Sequence, residues 1–203
     1  MVNTLIIQFA KWPRLGQVKT RLAKKLGDQA AYDIHLELTH AVLDNLSSSK
    51  EGDVELWFDK LSKYTPDTQT LVEKCQSLSV AIDCQSGKDL GERMYHALSF
   101  ALKDYQKVII VGSDCPTVDK AYLGQAVKVL NDHDLVLGPA ADGGYVLLGA
   151  RKVAPTLLDS IAWGQGSVLR STIEGADKLG LTYGLLESTW DVDEYEDYLR
   201  WKR

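Results

Sequence analysis

Val108-Ile109-Ile110-Val111 is the segment that most limits what this chain can fold into. Four β-branched residues in succession leave no polar face. A strand built from them must be covered on both sides, as the central strands of a parallel sheet are. Ser113-Asp114-Cys115-Pro116 follows at once, and its Pro stops the strand. Further apolar runs recur along the chain at Leu5–Phe9, Val54–Phe58, Leu78–Ile82, Leu135–Leu137, Tyr145–Leu148 and Tyr183–Leu186. Helical patterns lie between them. Ala31, Ile34, Leu38, Ala41, Val42 and Leu46 repeat at helical spacing behind Asp28, which reads as a cap. Thr65-Pro66-Asp67 reads as a helix start with Pro at the first helical position. Other helices are expected over Leu90–Leu102, Asp119–Leu130 behind a capping Thr117, Val168–Leu179 and Tyr195–Trp201. Gly143-Gly144 suggests a hairpin into Tyr145, and hence an antiparallel insertion. The pattern is that of an α/β protein, a three-layer α/β/α sandwich on a mixed, mostly parallel sheet.

No repeat, low-complexity tract or linker divides the 203 residues, so one domain over 1–203 is expected, with 45% apolar residues to fill its core. A formal net charge of −5 argues against nucleic acid as a partner. Cys75, Cys84 and Cys115 form no CxxC pair, which points away from a disulfide framework or a zinc site and toward a reducing compartment. No apolar run approaches the ~20 residues of a membrane span, and no signal-peptide pattern opens the chain. A cytoplasmic protein without a membrane partner is expected, with a homo-oligomer left open.

Lys11-Trp12-Pro13-Arg14-Leu15-Gly16-Gln17-Val18-Lys19-Thr20-Arg21-Leu22 follows the first strand. It places four basic side chains and a helix start where α/β sheets bind ligands, which favours a nucleotide phosphate over a merely solvated loop. Asp114, at the end of the central strand, is suited to hold a hard divalent cation against such a phosphate, the alternative being a helix cap. Asp191 and Asp193 precede the last helix, where a carboxylate could point into a cleft and complete the coordination, whereas Glu194, Glu196 and Asp197 are explained by the helix dipole alone. Asp142, in the Gly-rich turn, is the candidate base or acceptor ligand, although a plain hairpin would use Asp-Gly as well. Gln85 to Met94 is a polar loop leading into a helix, a rim of the same cleft to which Arg93 belongs unless it pairs locally. His35, His40, His96 and His133 share no spacing and receive no catalytic role. Neither a nucleophile elbow nor a Walker P-loop is present. Lys19→Ala and Arg21→Ala are expected to weaken nucleotide binding with little change in melting temperature, as exposed charges do.

Five motifs in order, from Lys11–Leu22 through Gly87–Met94, Gly112–Pro116 and Asp142–Tyr145 to Asp191–Asp197, resemble bacterial proteins of the GT-A superfamily often labelled glycosyltransferases linked to arsenosugar biosynthesis. The first and last motifs also resemble phospholactate guanylyltransferases and cytidylyl- and molybdopterin-type nucleotidyltransferases of the same fold. The resemblance implies a Rossmann-like GT-A fold and Mg²⁺ or Mn²⁺ held by Asp114 and Asp193. It also implies a phosphate grip of Lys11, Lys19 and Arg21, to which Gly16 and Arg93 are added as nucleotide-binding positions. Asp142 and Asp114 stand as the catalytic candidates. Two features depart from the family: the D-x-D motif is reduced to Ser113-Asp114-Cys115, and Glu194-Tyr195 stands where Thr-Pro is common. The expected reaction is metal-dependent glycosyl transfer from a nucleotide-diphosphate sugar to a small-molecule acceptor. The alternatives are nucleotidyl transfer from an NTP to a phosphorylated metabolite, or nucleotide binding without turnover.

Overall fold

The computed structural model describes residues 3–203. Seven strands form the sheet: β1 (Thr4–Ala10), β2 (Asp53–Phe58), β3 (Ala81–Cys84), β4 (Lys107–Gly112), β5 (Leu135–Pro139), β6 (Tyr145–Ala150) and β7 (Tyr183–Leu185). Their order is β3-β2-β1-β4-β6-β5-β7. β6 runs antiparallel to β4 and β5, and the other neighbours are parallel. The turn at Gly143-Gly144 therefore does insert an antiparallel strand, into a sheet that is otherwise parallel. The helices are α1 (Thr20–Leu26), α2 (Asp28–Ser49), α3 (Pro66–Ser77), α4 (Leu90–Ala101), α5 (Lys120–Asp132), α6 (Val168–Lys178) and α7 (Tyr195–Trp201).

The central strands feed two cores by alternation. From β1 and β4, Leu5, Ile7, Val108 and Ile110 pack with Met94 and Leu98 of α4 and Val168 of α6. Ile6, Ile109 and Val111 face the other way, onto Val42 and Leu46 of α2 and Leu123 and Ala126 of α5. Val108, Ile109, Ile110 and Val111 are all buried, as their uninterrupted apolar run requires. Burying each such side chain contributes roughly 1.5–3 kcal/mol.

Three local expectations are corrected. α3 extends to Ser77, with Leu78 as its C-cap and Ser79 in a left-handed conformation, so the third strand begins only at Ala81. The Val80 amide closes that helix end on the Cys75 carbonyl at 2.8 Å. Asp28 is the first residue of α2 and caps nothing, the N-cap being Gly27. Asp119, not Thr117, caps α5, its carboxylate accepting from the Tyr122 amide at 2.8 Å. Thr117 instead donates to the Trp190 carbonyl at 2.9 Å.

From β1 the chain crosses to β2 and β3 on one side, and β4 then joins β1 on the other. The strand order thus reverses between β1 and β4, which opens a crevice at their carboxyl ends.

Candidate functional site

Two cavities open at that crevice. The larger, about 450 Å³, is lined by Lys11, Lys19, Arg21 and Arg93, with Asp59, Asp114 and Asp193 as its acidic members. The smaller, about 270 Å³, is lined mainly by apolar side chains and has Asp114, Asp142 and Asp191 as its charged residues. Phe9, Leu90, Gly112 and Asp114 belong to both linings. Asp114 is therefore the charged group at the junction of a basic chamber and an acidic, apolar one.

The strand end places Asp114 by close packing. A Cβ on Gly112 would fall 2.9 Å from its Oδ1, so glycine there lets the carboxylate fold back against the end of β4. The preceding Ser113 is held from beneath. Its amide donates to the Phe9 carbonyl at 3.0 Å, and its hydroxyl accepts from the buried Gln8 side chain, which also donates to Thr39 of α2.

Lys19 crosses to Asp114. Its ammonium donates to Asp114 Oδ2 at 2.8 Å and to the Val192 carbonyl. The lysine side chain keeps 6% of its exposure and Asp114 keeps 40%, so Lys19 is sequestered while the carboxylate still faces solvent. Burial works against the charge on each, but their mutual attraction outweighs it. The Lys19 ammonium is held above its ordinary range and the Asp114 carboxyl below its own.

The late acidic segment reaches the crevice through backbone pairing. The Val192 amide donates to the Asp114 carbonyl at 2.8 Å, and Thr189 pairs with Pro139 and Ala141 at the end of β5. The Val192 side chain is buried with Leu22, Ala31, Ile34 and Leu38. With that anchor between them, Asp191 faces the acidic chamber and Asp193 the basic one. Burial, reinforced by the charge of Asp114, pushes the Asp191 carboxyl up to about 6. Asp193 is paired with Arg21. Asp197 accepts from the amides of Asp193 and Glu194, closing the start of α7.

Asp142 caps the hairpin, its Oδ1 accepting from the Gly144 amide at 2.9 Å. Gly143 has φ +87°, and a Cβ there would lie 2.2 Å from the Gly166 carbonyl oxygen, so the turn packs backbone to backbone against the segment leading into α6. That contact fixes one wall of the smaller chamber beside Trp163 and Gln165.

The expected residues are thus largely gathered, with three departures. Gly16 lines neither chamber; a Cβ there would face the Asp28 carboxylate. Arg14 lies in a separate hollow with Trp12 and Tyr32. Lys19 is buried, not exposed, so its expected thermal neutrality no longer holds. Among the described residues Arg93 makes no ion pair, and it donates from Nε to the Gly87 carbonyl at 3.2 Å. Asp114 and Asp193 both line the basic chamber, but each carboxylate already has a cationic partner.

Sequence reasoning missed the groups that clamp the Lys11 loop. His35 donates from Nε2 to the Lys11 carbonyl at 2.9 Å, and Asp59 accepts from the Trp12 amide at 2.7 Å. Burial pushes His35 down to about 4, which keeps the ring neutral. A signal for it was present, because His35 interrupts the otherwise apolar stripe of Ala31, Ile34 and Leu38.

A family model described as "Uncharacterized protein conserved in bacteria (DUF2064)" matches residues 42–165, a stretch that holds Arg93, Asp114 and Asp142. The chain belongs to this family. The DUF2064 chain is 32% identical to a protein of Desulfovibrio desulfuricans G20 provisionally assigned as a nucleotide-diphospho-sugar transferase. That structure superposes with a TM-score of 0.86 over 100% of this chain and 87% of that one. A 2-phospho-L-lactate guanylyltransferase of Methanothermobacter thermautotrophicus is 27% identical over 91% of this chain and 78% of its own length. The manganese complex of Rv0371c from Mycobacterium tuberculosis H37Rv shares the fold at 17% identity and a TM-score of 0.54, over 98% and 97% of the two chains. The DUF2064 fold is thus that of nucleotide-diphospho-sugar transferases and nucleotidyltransferases. Among the described residues, no helix is long and apolar enough to cross a membrane.

Proposed function

We propose that this protein is a transferase that takes a nucleotide-activated donor in the basic chamber and passes a group to an acceptor in the acidic one. The observation that carries this reading is the meeting of two oppositely charged chambers at Asp114. Lys11 and Arg93, together with Arg21 in exchange for its exposed pair with Asp193, are the cations that would meet a diphosphate, while Lys19 holds Asp114 in place.

A divalent cation fits the donor set. Asp114, Asp142 and Asp191 offer hard oxygen ligands, and Asp191, whose carboxyl is raised by burial and then by the charge of Asp114, sits where a cation would favour its ionised form. Among the described residues no three His, Cys, Asp or Glu side chains form a metal cage by themselves. Mg²⁺ or Mn²⁺ suits such a site, since these ions usually combine one or two carboxylates with water and substrate phosphates. Asp191, which has no cationic partner among the described ion pairs, and Asp114, which lines both chambers and keeps 40% of its side-chain exposure beside Lys19, are the best holders, whereas Asp193 lines the basic chamber alone. When bound, the ion would neutralise the charge that builds on the diphosphate leaving group.

The leading reaction is glycosyl transfer from a nucleotide-diphosphate sugar, in line with the likeness to the Desulfovibrio protein. The acceptor hydroxyl loses its proton to Asp142 as its oxygen bonds to the sugar carbon. The bond from that carbon to the diphosphate breaks, and its electron pair leaves on the nucleoside diphosphate. Arg21 and Arg93 hold the leaving group by charge. Nucleotidyl transfer is the second reading, favoured by the guanylyltransferase relative and by the cation-rich loop after β1. Product analysis separates the two. With Mg²⁺ and a panel of nucleotide sugars and NTPs, glycosyl transfer releases a nucleoside diphosphate and nucleotidyl transfer releases pyrophosphate. If no nucleotide in the panel is bound or turned over, the transferase reading fails.

A further inference from the structure

The two chambers differ in more than size. The basic chamber sets four cations against three carboxylates, whereas among the described residues no Lys or Arg lines the smaller one. Its walls are apolar. Leu90 and Met94 come from α4, Ile110 from β4 and Tyr145 from β6, and the Tyr145 ring meets Trp163 edge-on with centroids 6.4 Å apart. Its charged lining consists of Asp114, Asp142 and Asp191, of which only Asp114 has a cationic partner among the described ion pairs.

From this asymmetry we infer that the acceptor carries no negative charge and presents a compact apolar or aromatic body to the smaller chamber. The inference rests on the transferase reading and adds the acceptor's chemical class to it. A divalent ion on Asp114 and Asp191 would be taken up by the donor's diphosphate, so a phosphate or carboxylate placed in the smaller chamber would lose its water and face the Asp142 carboxylate with no Lys or Arg of the described lining to offset it, which is the costly way to bury a charge. An uncharged ring or short apolar skeleton meets the opposite situation. It replaces water against Met94, Tyr145 and Trp163 and leaves a hydroxyl or amine free to donate to Asp142. Sites built this way discriminate strongly, because an anion is rejected by repulsion and not merely bound less well. The acceptor is thereby set apart from phosphorylated acids.

The chain itself supplies the reporter for a test. It contains two methionines, Met1 and Met94, and Met94 lines the smaller chamber. Full-length protein labelled with ¹³C at the methionine methyls is titrated in Mg²⁺ buffer with benzyl alcohol or with benzyl phosphate, which share a ring and differ in charge. Met94→Leu assigns the signal. Benzyl alcohol is expected to shift the Met94 methyl and to show Overhauser contacts between that methyl and its ring protons. Benzyl phosphate should reach Met94 at least about tenfold more weakly. Asp142→Lys, at an exposed position of the turn, should erase or reverse that preference. Contact of benzyl phosphate with Met94 at equal or tighter affinity overturns the inference, and so does a Met94 methyl untouched by benzyl alcohol. Calorimetry with UDP and GDP on the same sample keeps the two readings separable. Absence of nucleotide binding removes the transferase reading, while the charge preference at Met94 is still read directly.

Discussion

The Lys19 ammonium lies 2.8 Å from Asp114 Oδ2 and also donates to the carbonyl of Val192, joining the start of α1, the end of β4 and the late acidic segment through one nitrogen. A lysine read from the sequence as a phosphate ligand is first of all the fastener of the site. Substrate phosphates meet it with two of its three protons already engaged.

Lys19→Ala should therefore destabilise the fold. A fully buried pair broken on one side costs about 3–5 kcal/mol. Because Asp114 keeps 40% of its side-chain exposure, about 1–3 kcal/mol is expected here. Arg21→Ala removes an ion pair whose members are 57% and 38% exposed and should stay within about 0.5 kcal/mol of the parent. Urea unfolding of the two variants reads the contrast, and equal stabilities would show that Lys19 is not a structural tie.

Asp142→Asn keeps the shape of the hairpin and removes the proton acceptor. Turnover should fall by roughly 10²–10⁴-fold with nucleotide affinity nearly unchanged. Steady-state kinetics alongside calorimetry checks this, and a parallel loss of nucleotide binding would place Asp142 on the donor side instead.

Much of this arrangement is legible in the sequence. The uninterrupted Val108–Val111 run located the sheet centre, and Gly143-Gly144 located the antiparallel insertion, because both signals are local. Which carboxylate enters which chamber was not local. It depends on Val192 packing under α2, a contact that turns Asp191 and Asp193 to opposite sides of Asp114. The exposure of Lys19 was misjudged for the same reason. Its partners, Asp114 and Val192, are 95 and 173 residues away. Leu78 misled because an apolar residue at a helix end looks like the beginning of a strand until the left-handed turn at Ser79 is known.

His35 makes stability depend on pH. Burial pushes its folded value down to about 4 from an ordinary 6.5, so the unfolded chain takes up a proton in that window and the native state does not. The His35 share of stability is fully present above pH 6.5 and is lost as pH falls toward 4, by up to about 3 kcal/mol, while Asp191, raised to about 6, acts with the opposite sign in the same window. Chemical unfolding across this range should therefore show the parent losing stability relative to His35→Gln as pH falls. Identical profiles would remove His35 as the cause.

Asp114→Asn and Asp191→Asn should each abolish the part of nucleotide binding that depends on Mg²⁺ or Mn²⁺. The double variant should be little worse than either single one, since both act through one ion. Additive losses in calorimetric titrations would mean that the two carboxylates act independently.

The most direct test of the divided site is a crystal structure of the protein with a nucleoside diphosphate and Mn²⁺. The expected result is phosphates in the chamber of Lys11, Arg21 and Arg93, with manganese on Asp114 between them and the chamber of Asp142, Tyr145 and Trp163. A nucleotide seated against Met94 and Trp163, or phosphates and metal remote from Asp114, would contradict it.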